Sequence, residues 1–412
     1  MKVIKNVNLI DGTGNPPVDN VAVIINENII EAIGNTEKIT IPNSAEVING
    51  TGMSLLPGLI DCHDHLAYFG YDTAGRWGLD ERRSTRHMRI ASVLNQTLLS
   101  GYTTVRDAGG LDAGFRDAVD QKLIPGPRLQ VSLSIISPTG GVGEETSISG
   151  YTNPSAPDPN LPSGVANGIE GMRNKVREMV HAGADVIKFA TTGGASSKAG
   201  LGPKDMIIGI DEINAIVTEA HQLGKKVMCH ALGGLGLRCA IEAGVDSIEH
   251  GAYLDEDPEL LSIMVEKEIF FAPTFSVYVF HQQSGTPHGK KRAADMKEHH
   301  IRSVQMAIEA GVKVVAGTDA GGWVHGNNAQ EIICLTQTGM TPLQAIVSAT
   351  KNASECLGLD KEIGTIETGK NADLILVQGN PLDDIGILEK GAAVKFVMKN
   401  GETYLDQITS IS

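Results

Sequence analysis

Three times in the middle of this chain, a helix-type stretch closes on a small residue and a glycine and passes straight into a strand-type run: Ala182-Gly183-Ala184, Ala243-Gly244-Val245 and Ala310-Gly311-Val312. Glycine takes the left-handed conformation at a helix C-terminus without the steric cost other residues meet there. Each triplet therefore reads as a helix end feeding a strand. Helix-type segments cover residues 169–182, 211–223, 235–243, 293–310 and 341–357. The apolar strand-type runs are residues 55–60, 103–106, 128–135, 185–189, 226–229, 247–249, 269–273 and 313–316. Strand and helix in alternation predict βα units around a parallel sheet. Eight such strands describe an α/β chain built as a (β/α)8 TIM-type barrel. The alternative is an open doubly wound sheet, which would carry a glycine-rich nucleotide turn after its first strand. The residues after Ile60 contain none.

The two ends have a different texture. Residues 3–10, 21–25, 29–33 and 46–49, and then 373–377 and 394–398, are short strand-type runs, and Lys399-Asn400-Gly401-Glu402 reads as a hairpin turn. They predict one small β-sandwich domain assembled from residues 1–54 and 359–412, with residues 55–358 as the barrel. A chain of 412 residues, 41% hydrophobic, can bury a large core and a smaller one. The connections 66–84 and 136–167 are long and follow strand ends, which puts both on the C-terminal face of a barrel.

Charge and cysteine usage narrow the function classes. The formal net charge is −15 and no basic run is clustered, which argues against a nucleic-acid partner. No apolar stretch approaches a membrane span, so no membrane partner is expected. Met1-Lys2-Val3-Ile4-Lys5-Asn6-Val7 alternates like a strand and lacks the apolar region of a signal peptide. The five cysteines are odd in number with no Cys-x-x-Cys, so the expectation is a reduced, cytoplasmic protein. Cys62 and Cys229 each neighbour a histidine on a strand and should face away from it as small buried residues.

The polar residues that interrupt the apolar runs fall at one kind of place. Leu55-Leu56-Pro57-Gly58-Leu59-Ile60-Asp61-Cys62-His63-Asp64-His65 ends in two histidines spaced to share a face. Lys188 sits inside Val186-Ile187-Lys188-Phe189, His230 ends Val227-Met228-Cys229-His230, His250 ends Ser247-Ile248-Glu249-His250, and Asp319 ends Ala316-Gly317-Thr318-Asp319. Taken singly, each has an ordinary structural explanation: a hydrogen-bonded core histidine, a snorkelling lysine, a helix-capping aspartate. Together, four imidazoles, a carboxylate and a buried amine at matched strand ends would be costly without something to ligate and neutralise them. The C-terminal strand ends are also where barrel enzymes hold their active sites. The other histidines, His87, His181, His221, His281, His288, His299, His300 and His325, fall away from strand ends and are given no metal role.

These pieces resemble the amidohydrolase superfamily. The matching residues are Pro57 through His65, Lys188, His230, His250 and Gly317-Thr318-Asp319, together with Gly364-Thr365-Ile366-Glu367-Thr368-Gly369-Lys370-Asn371-Ala372-Asp373-Leu374 at the return into the small domain. Thr103-Thr104-Val105-Arg106-Asp107-Ala108-Gly109-Gly110 and Ser247 through Gly251 are similar to the prolidase-like and imidazolonepropionase-related branch.

The resemblance implies that His63, His65 and Asp319 hold one divalent ion and His230 and His250 a second, with Lys188 bridging them as its carbamate. Zn2+ suits the N/O donor set. It also implies hydrolysis of an amide-type C–N bond (a dipeptide, N-acyl amino acid, carbamate or cyclic amide), with Asp319 as proton shuttle. A homo-oligomer is expected on the same ground. His230 is followed by Ala231-Leu232-Gly233-Gly234 with no acid, which speaks against a deaminase. Dipeptidase relatives carry polar residues where this chain has Val142 and Leu232, which points to a less polar amide or carbamate. The alternatives are an Xaa-Pro type dipeptidase or carboxypeptidase, a cyclic-amide hydrolase of the imidazolonepropionase type, and a non-enzymatic binding or assembly protein on the same fold. Tyr68, Arg106, Tyr278 and His325 are substrate-contact candidates, and Trp323 is expected to pack.

Overall fold

The computed structural model describes residues 1–70, 81–144, 146, 150, 160–194, 201–321 and 325–408. The early strands are β1 (Lys2–Leu9), β2 (Val18–Asn26), β3 (Ile29–Asn35), β4 (Glu46–Asn49) and β5 (Met53–Pro57). The middle of the chain adds β6 (Leu59–Asp64), β7 (Tyr102–Asp107), β8 (Arg128–Val131), β9 (Ile135–Ile136), β10 (Val186–Ala190), β11 (Lys226–Ala231), β12 (Ser247–His250) and β13 (Phe270–Ala272). The chain returns through β14 (Leu374–Gln378), β15 (Val394–Lys399) and β16 (Glu402–Asp406).

Strands from both ends pair in one eight-stranded sheet, ordered β16-β15-β14-β5-β1-β2-β3 with β4 on β1. The seam between the ends is the antiparallel ladder of β5 with β14, in which Leu55 faces Leu376. Asn28, in the β2–β3 turn, donates from Nδ2 to Asn400 Oδ1 in the β15–β16 turn, 3.2 Å away. The sheet therefore curls until its distant hairpins touch, around a core that includes Ile4, Val23, Leu55, Leu376 and Phe396. The layers expected of a sandwich belong here to one continuous, curled sheet.

The middle strands are parallel, in the orders β6-β7-β8 and β13-β12-β11-β10-β9. Their intervening helices bury one stripe each. In the helix Ile210–Gln222, Ile213, Ile216, Val217 and Ala220 recur at helical spacing and are buried. Each large aliphatic side chain so placed contributes about 1.5–3 kcal/mol by leaving water. They join Val105, Ile187, Val227 and Ile248 of the strands in the main core. Gly183, Gly244 and Gly311 all adopt positive φ, as the three helix-to-strand triplets require.

Four local expectations change. Residues 128–135 are not one strand: Leu133 turns left-handed at φ +68°, which separates β8 from β9. Residues 313–316 make one isolated bridge, Phe271 with Val314, rather than a ladder. This segment still runs between β13 and β6, because Val315 N donates to Phe271 O at 2.8 Å and Cys62 N to Ala316 O at 2.9 Å. The helix expected from 293 starts at Pro287, where Thr286 caps it by accepting from Gly289 N and proline occupies the first turn. Residues 341–357 form two helices, Pro342–Ser348 and Lys351–Leu357, broken by the non-helical backbone of Thr350 (φ −134°, ψ −93°). Among the described residues, no helix is long and apolar enough to cross a membrane. All five cysteines are free and buried.

Candidate metal centre

Strand β6 delivers His63 at its end and His65 just beyond it, with ring centroids 5.5 Å apart. In the parallel ladders Ala190 pairs with His230, which puts Lys188 and His230 on the same face of β10 and β11. Glu249 pairs with His230, so strict alternation would turn His250 to the opposite side. The backbone of His250 breaks that alternation with φ +73°. Its ring lies 5.0 Å from that of His63 and 4.5 Å from that of His230. Asp319 (φ +53°) and Thr274 (φ +57°) are also left-handed. Such strained residues persist where the surrounding structure holds them, and they gather at functional sites. Gly317 explains the small residue before Thr318-Asp319: a Cβ there would stand 2.8 Å from the His63 Cβ.

All six residues line one pocket. His63, His65 and Asp319 bring their donor atoms within 4.8 Å of one another, and this group could hold a metal ion. His65 Nε2 is 3.3 Å and His63 Nε2 3.6 Å from Asp319 Oδ1. The far nitrogens are fixed from behind: His63 Nδ1 by Glu249 Oε2 at 2.6 Å, and His65 Nδ1 by the Gly109 carbonyl at 2.7 Å. His250 Nδ1 is held by Thr274 Oγ1 at 2.8 Å. Partners of this kind set the tautomer and aim the other nitrogen inward. Burial pushes His63 down to about 4, His230 to about 3 and His250 well below its ordinary value, so each presents a neutral ring with a lone pair. Burial alone would raise the Asp319 carboxyl; the hydrogen bond to His65 and the charge of His63 instead hold it at about 2.

Lys188 is the least expected occupant of such a place. It is 1% exposed, and among the described residues its Nζ has no hydrogen-bond partner. Burial lowers its ammonium to about 8. A buried amine without a partner is costly. The orphaned nitrogen, four imidazoles and a carboxylate together form an N/O donor set of the kind that binds divalent metals.

Below the pocket, Asp61 and Asp64 share the Asn328 side-chain amide, at 2.7 and 2.9 Å, and Thr318 donates to Asp61 at 2.6 Å. Burial, reinforced at Asp61 by its neighbour Asp64, raises both carboxyls to about 7. The pair ties β6 to the segment carrying Asp319.

The substrate-contact candidates divide. Tyr68 and Tyr278 line the pocket. Arg106 does not: it is 1% exposed and turned inward, donating to Glu249 Oε1 at 2.9 Å and to the Cys62 carbonyl at 2.6 Å. That expectation is corrected, because the carboxylate that captures its guanidinium lies on β12 beneath the pocket. His325 also turns away, with Nε2 2.8 Å from the Tyr68 carbonyl and Nδ1 3.7 Å from Asp64 Oδ1, so it supports the Tyr68 turn from behind. Trp323 lies outside the described residues. Val142 lines the pocket, whereas Leu232 packs behind Val277 and Tyr278.

Sequence reasoning missed the helix Phe275–Ser284, which brings Val277, Tyr278 and His281 to the pocket wall. The spacing of those three residues was the available signal. The cap was not local: Glu331 accepts from Phe275 N at 2.9 Å, Ser276 N at 2.8 Å and Ser276 Oγ at 2.7 Å. Glu331→Ala leaves these buried donors unpaired and is expected to lower the unfolding free energy by about 2–4 kcal/mol. Glu331→Gln, which still offers an oxygen, should lose clearly less. Equal urea midpoints for the two variants would show that Glu331 is not the cap.

An α/β fold whose strand ends converge four histidines, an aspartate and a buried lysine belongs to the class of folds that gather a donor set able to hold a metal ion. The chain is a member of the amidohydrolase family, whose model matches residues 54–404. It is 32% identical over 420 aligned positions to ochratoxinase of Aspergillus niger, covering 96% of this chain and 85% of that protein. It is 25% identical to imidazolonepropionase of Fusobacterium nucleatum, covering 90% and 87%. The crystal structure of a Xaa-Pro dipeptidase with bound methionine in the active site superimposes with a TM-score of 0.87 at 32% identity, covering 98% of this chain and 99% of that one.

Proposed function

We propose that this chain hydrolyses the C–N bond of a neutral, partly apolar amide or carbamate at a two-metal centre on the C-terminal face of a (β/α)8 barrel. The barrel reading is supported by the two parallel sheets and by the bridging segment that carries Asp319 between β13 and β6. The observation that carries the chemistry is the orphaned Lys188 Nζ among the imidazoles. As a carbamate it would become an anionic oxygen donor and cease to be an unpaired amine. His63, His65 and Asp319 would hold one ion, His230 and His250 the other, and Lys188 would join them; Zn2+ suits the donors. Such ions supply an activated water and polarise the scissile carbonyl.

The protein's own groups do the rest. Asp319 is a carboxylate at neutral pH and can take a proton at Oδ1 and return it to the leaving nitrogen. Glu249, Gly109 and Thr274 keep the imidazoles aimed. Tyr68, Tyr278 and His281 offer polar contacts between the apolar Ile135, Val142 and Val277. Among the described residues lining the pocket, Lys188 is the only lysine or arginine, and the apolar Ile135, Val142 and Val277 stand in its wall. That favours an uncharged substrate over a dipeptide, although the Xaa-Pro dipeptidase likeness supports the second reading, cleavage next to a free carboxylate. The five free thiols support the expected cytoplasmic setting.

The test is a panel of neutral anilides, carbamates and lactams against dipeptides and N-acyl amino acids, with metal-loaded protein. Neutral substrates should win by at least about tenfold in kcat/KM, the cost of burying a carboxylate without a partner. Equal or better turnover of the charged substrates would transfer the assignment to the dipeptidase reading. Failure to hydrolyse any of them with metal bound would remove the enzyme reading.

A further inference from the structure

Three of the four imidazoles in the candidate metal centre are fixed from behind at short range: His63 by a carboxylate at 2.6 Å, His65 by a backbone carbonyl at 2.7 Å and His250 by a hydroxyl at 2.8 Å. His230 is held differently. Among the described residues its ring finds one hydrogen-bond partner, the Gly193 carbonyl, 3.4 Å from Nε2. A carbonyl only accepts, so Nε2 carries the proton and Nδ1 keeps the lone pair. That contact therefore selects the nitrogen His230 can offer to an ion. It is the longest of the four, and it comes from a glycine pair, Gly193-Gly194, beyond the end of β10.

Glycine has wide backbone freedom, so this pair does not set the direction of its own carbonyls. Its surroundings do. Thr192 Oγ1 donates to the Gly193 carbonyl at 3.0 Å and accepts from Leu232 N at 3.1 Å. On another side the chain returns so close that a Cβ on Gly193 would stand 2.6 Å from the Leu201 carbonyl oxygen. The remaining support comes from a separate element. Arg292, on the helix Pro287–Ala310, donates from Nη1 to the Gly194 carbonyl at 2.6 Å. A charged donor at that distance makes one of the stronger hydrogen bonds. Its helix is anchored beside it by the buried Ala293 and Met296. Gly194 lines the pocket and Arg292 does not, so the guanidinium braces the wall without entering it.

We propose that Arg292 is a positioning residue for the second metal site: by fixing Gly194 it holds the Gly193 carbonyl against His230 Nε2, and so presents Nδ1 to the ion that His230 and His250 would share. For the ion this rests on the two-metal reading above; for the orientation of the ring it does not. Because His230 has the longest of the four contacts, the second ion is held more weakly than the first, and Arg292 helps to set by how much.

The experiment uses the full chain as wild type, Arg292→Met and Arg292→Lys. Methionine keeps a long, helix-compatible side chain without donors, and lysine restores one charged donor. Zinc titrated against a competing chelator should resolve two ions in the wild type. Arg292→Met should weaken the second by about tenfold, as loss of an outer partner does, and leave the first unchanged. Arg292→Lys should recover part of that loss. In the metal-free protein, nitrogen NMR spectra of the histidine rings should show His230 protonated at Nε2 in the wild type and divided between its two nitrogens in Arg292→Met, with His65 unaltered. Unchanged affinity for the second ion in Arg292→Met overturns the proposal. So does equal weakening of both ions, which marks a general loss of fold, and so does weakening with no change at the His230 ring. If the wild type binds one ion or none, the two-metal reading fails and the ring spectra decide alone: a His230 ring that ignores Arg292→Met removes the positioning role, and one that responds keeps it.

Discussion

Lys188→Ala is expected to lose most of the bound metal and at least about a thousandfold in kcat/KM, and to recover part of both when short carboxylic acids are added. The argument starts from the place of the nitrogen. Nζ is buried, has no partner among the described residues, and shares its pocket with His63, His65, His230, His250 and Asp319. An amine left there as an ammonium would repel metal. As a carbamate it would contribute a bridging anion, and alanine would remove that anion while leaving a gap of about its size. Acetate or formate can enter such a gap and supply carboxylate oxygens, which a merely misfolded variant could not use. Metal content per chain by atomic emission and kcat/KM should fall together and rise together on rescue. A Lys188→Ala protein with wild-type metal content and activity would sink the bridging role.

What the sequence could show depended on how local the cause was. Strand alternation and the C-terminal position of strand ends are local, and they located His63, His65, Lys188, His230, His250 and Asp319 on one pocket. The backbone devices that finish the geometry are not legible in the same way. Nothing in Ser247-Ile248-Glu249-His250 signals the φ of +73° that turns His250 toward His63, and nothing in Ser132-Leu133-Ser134 signals the left-handed Leu133 that ends β8. Arg106 was misread because its position at a strand end is visible, whereas its partner Glu249 lies on β12, 143 residues away in the chain. The Phe275–Ser284 helix was missed for a related reason: Glu331, which caps it, follows by more than fifty residues. His281 went with it, since the rule that favoured strand ends gave no weight to a helix crossing the mouth of the pocket.

Glu249 is the place where a hidden partner should have the largest measurable effect. It is fully buried and accepts from His63 Nδ1 at 2.6 Å, from Arg106 Nη2 at 2.9 Å and from the Ser247 hydroxyl. Burial alone would raise its carboxyl; Arg106 and the His63 hydrogen bond hold it far below the usual range, so it is an anion. Arg106, Glu249 and His63 thus form a buried chain from a guanidinium to an imidazole of the candidate metal group. Two effects follow and can be separated. Glu249→Leu strands Arg106 without its counter-ion and should cost about 3–5 kcal/mol of stability. The same change frees the His63 ring and should weaken metal binding by about 10–100-fold. Arg106→Met/Glu249→Leu removes both charges, so stability should largely return while metal affinity stays low, because His63 still lacks its partner. Urea denaturation and competition against a chelator read the two quantities independently. If the double variant regained metal affinity along with stability, Glu249 would be serving only the fold, and the orientation of His63 would have to come from elsewhere.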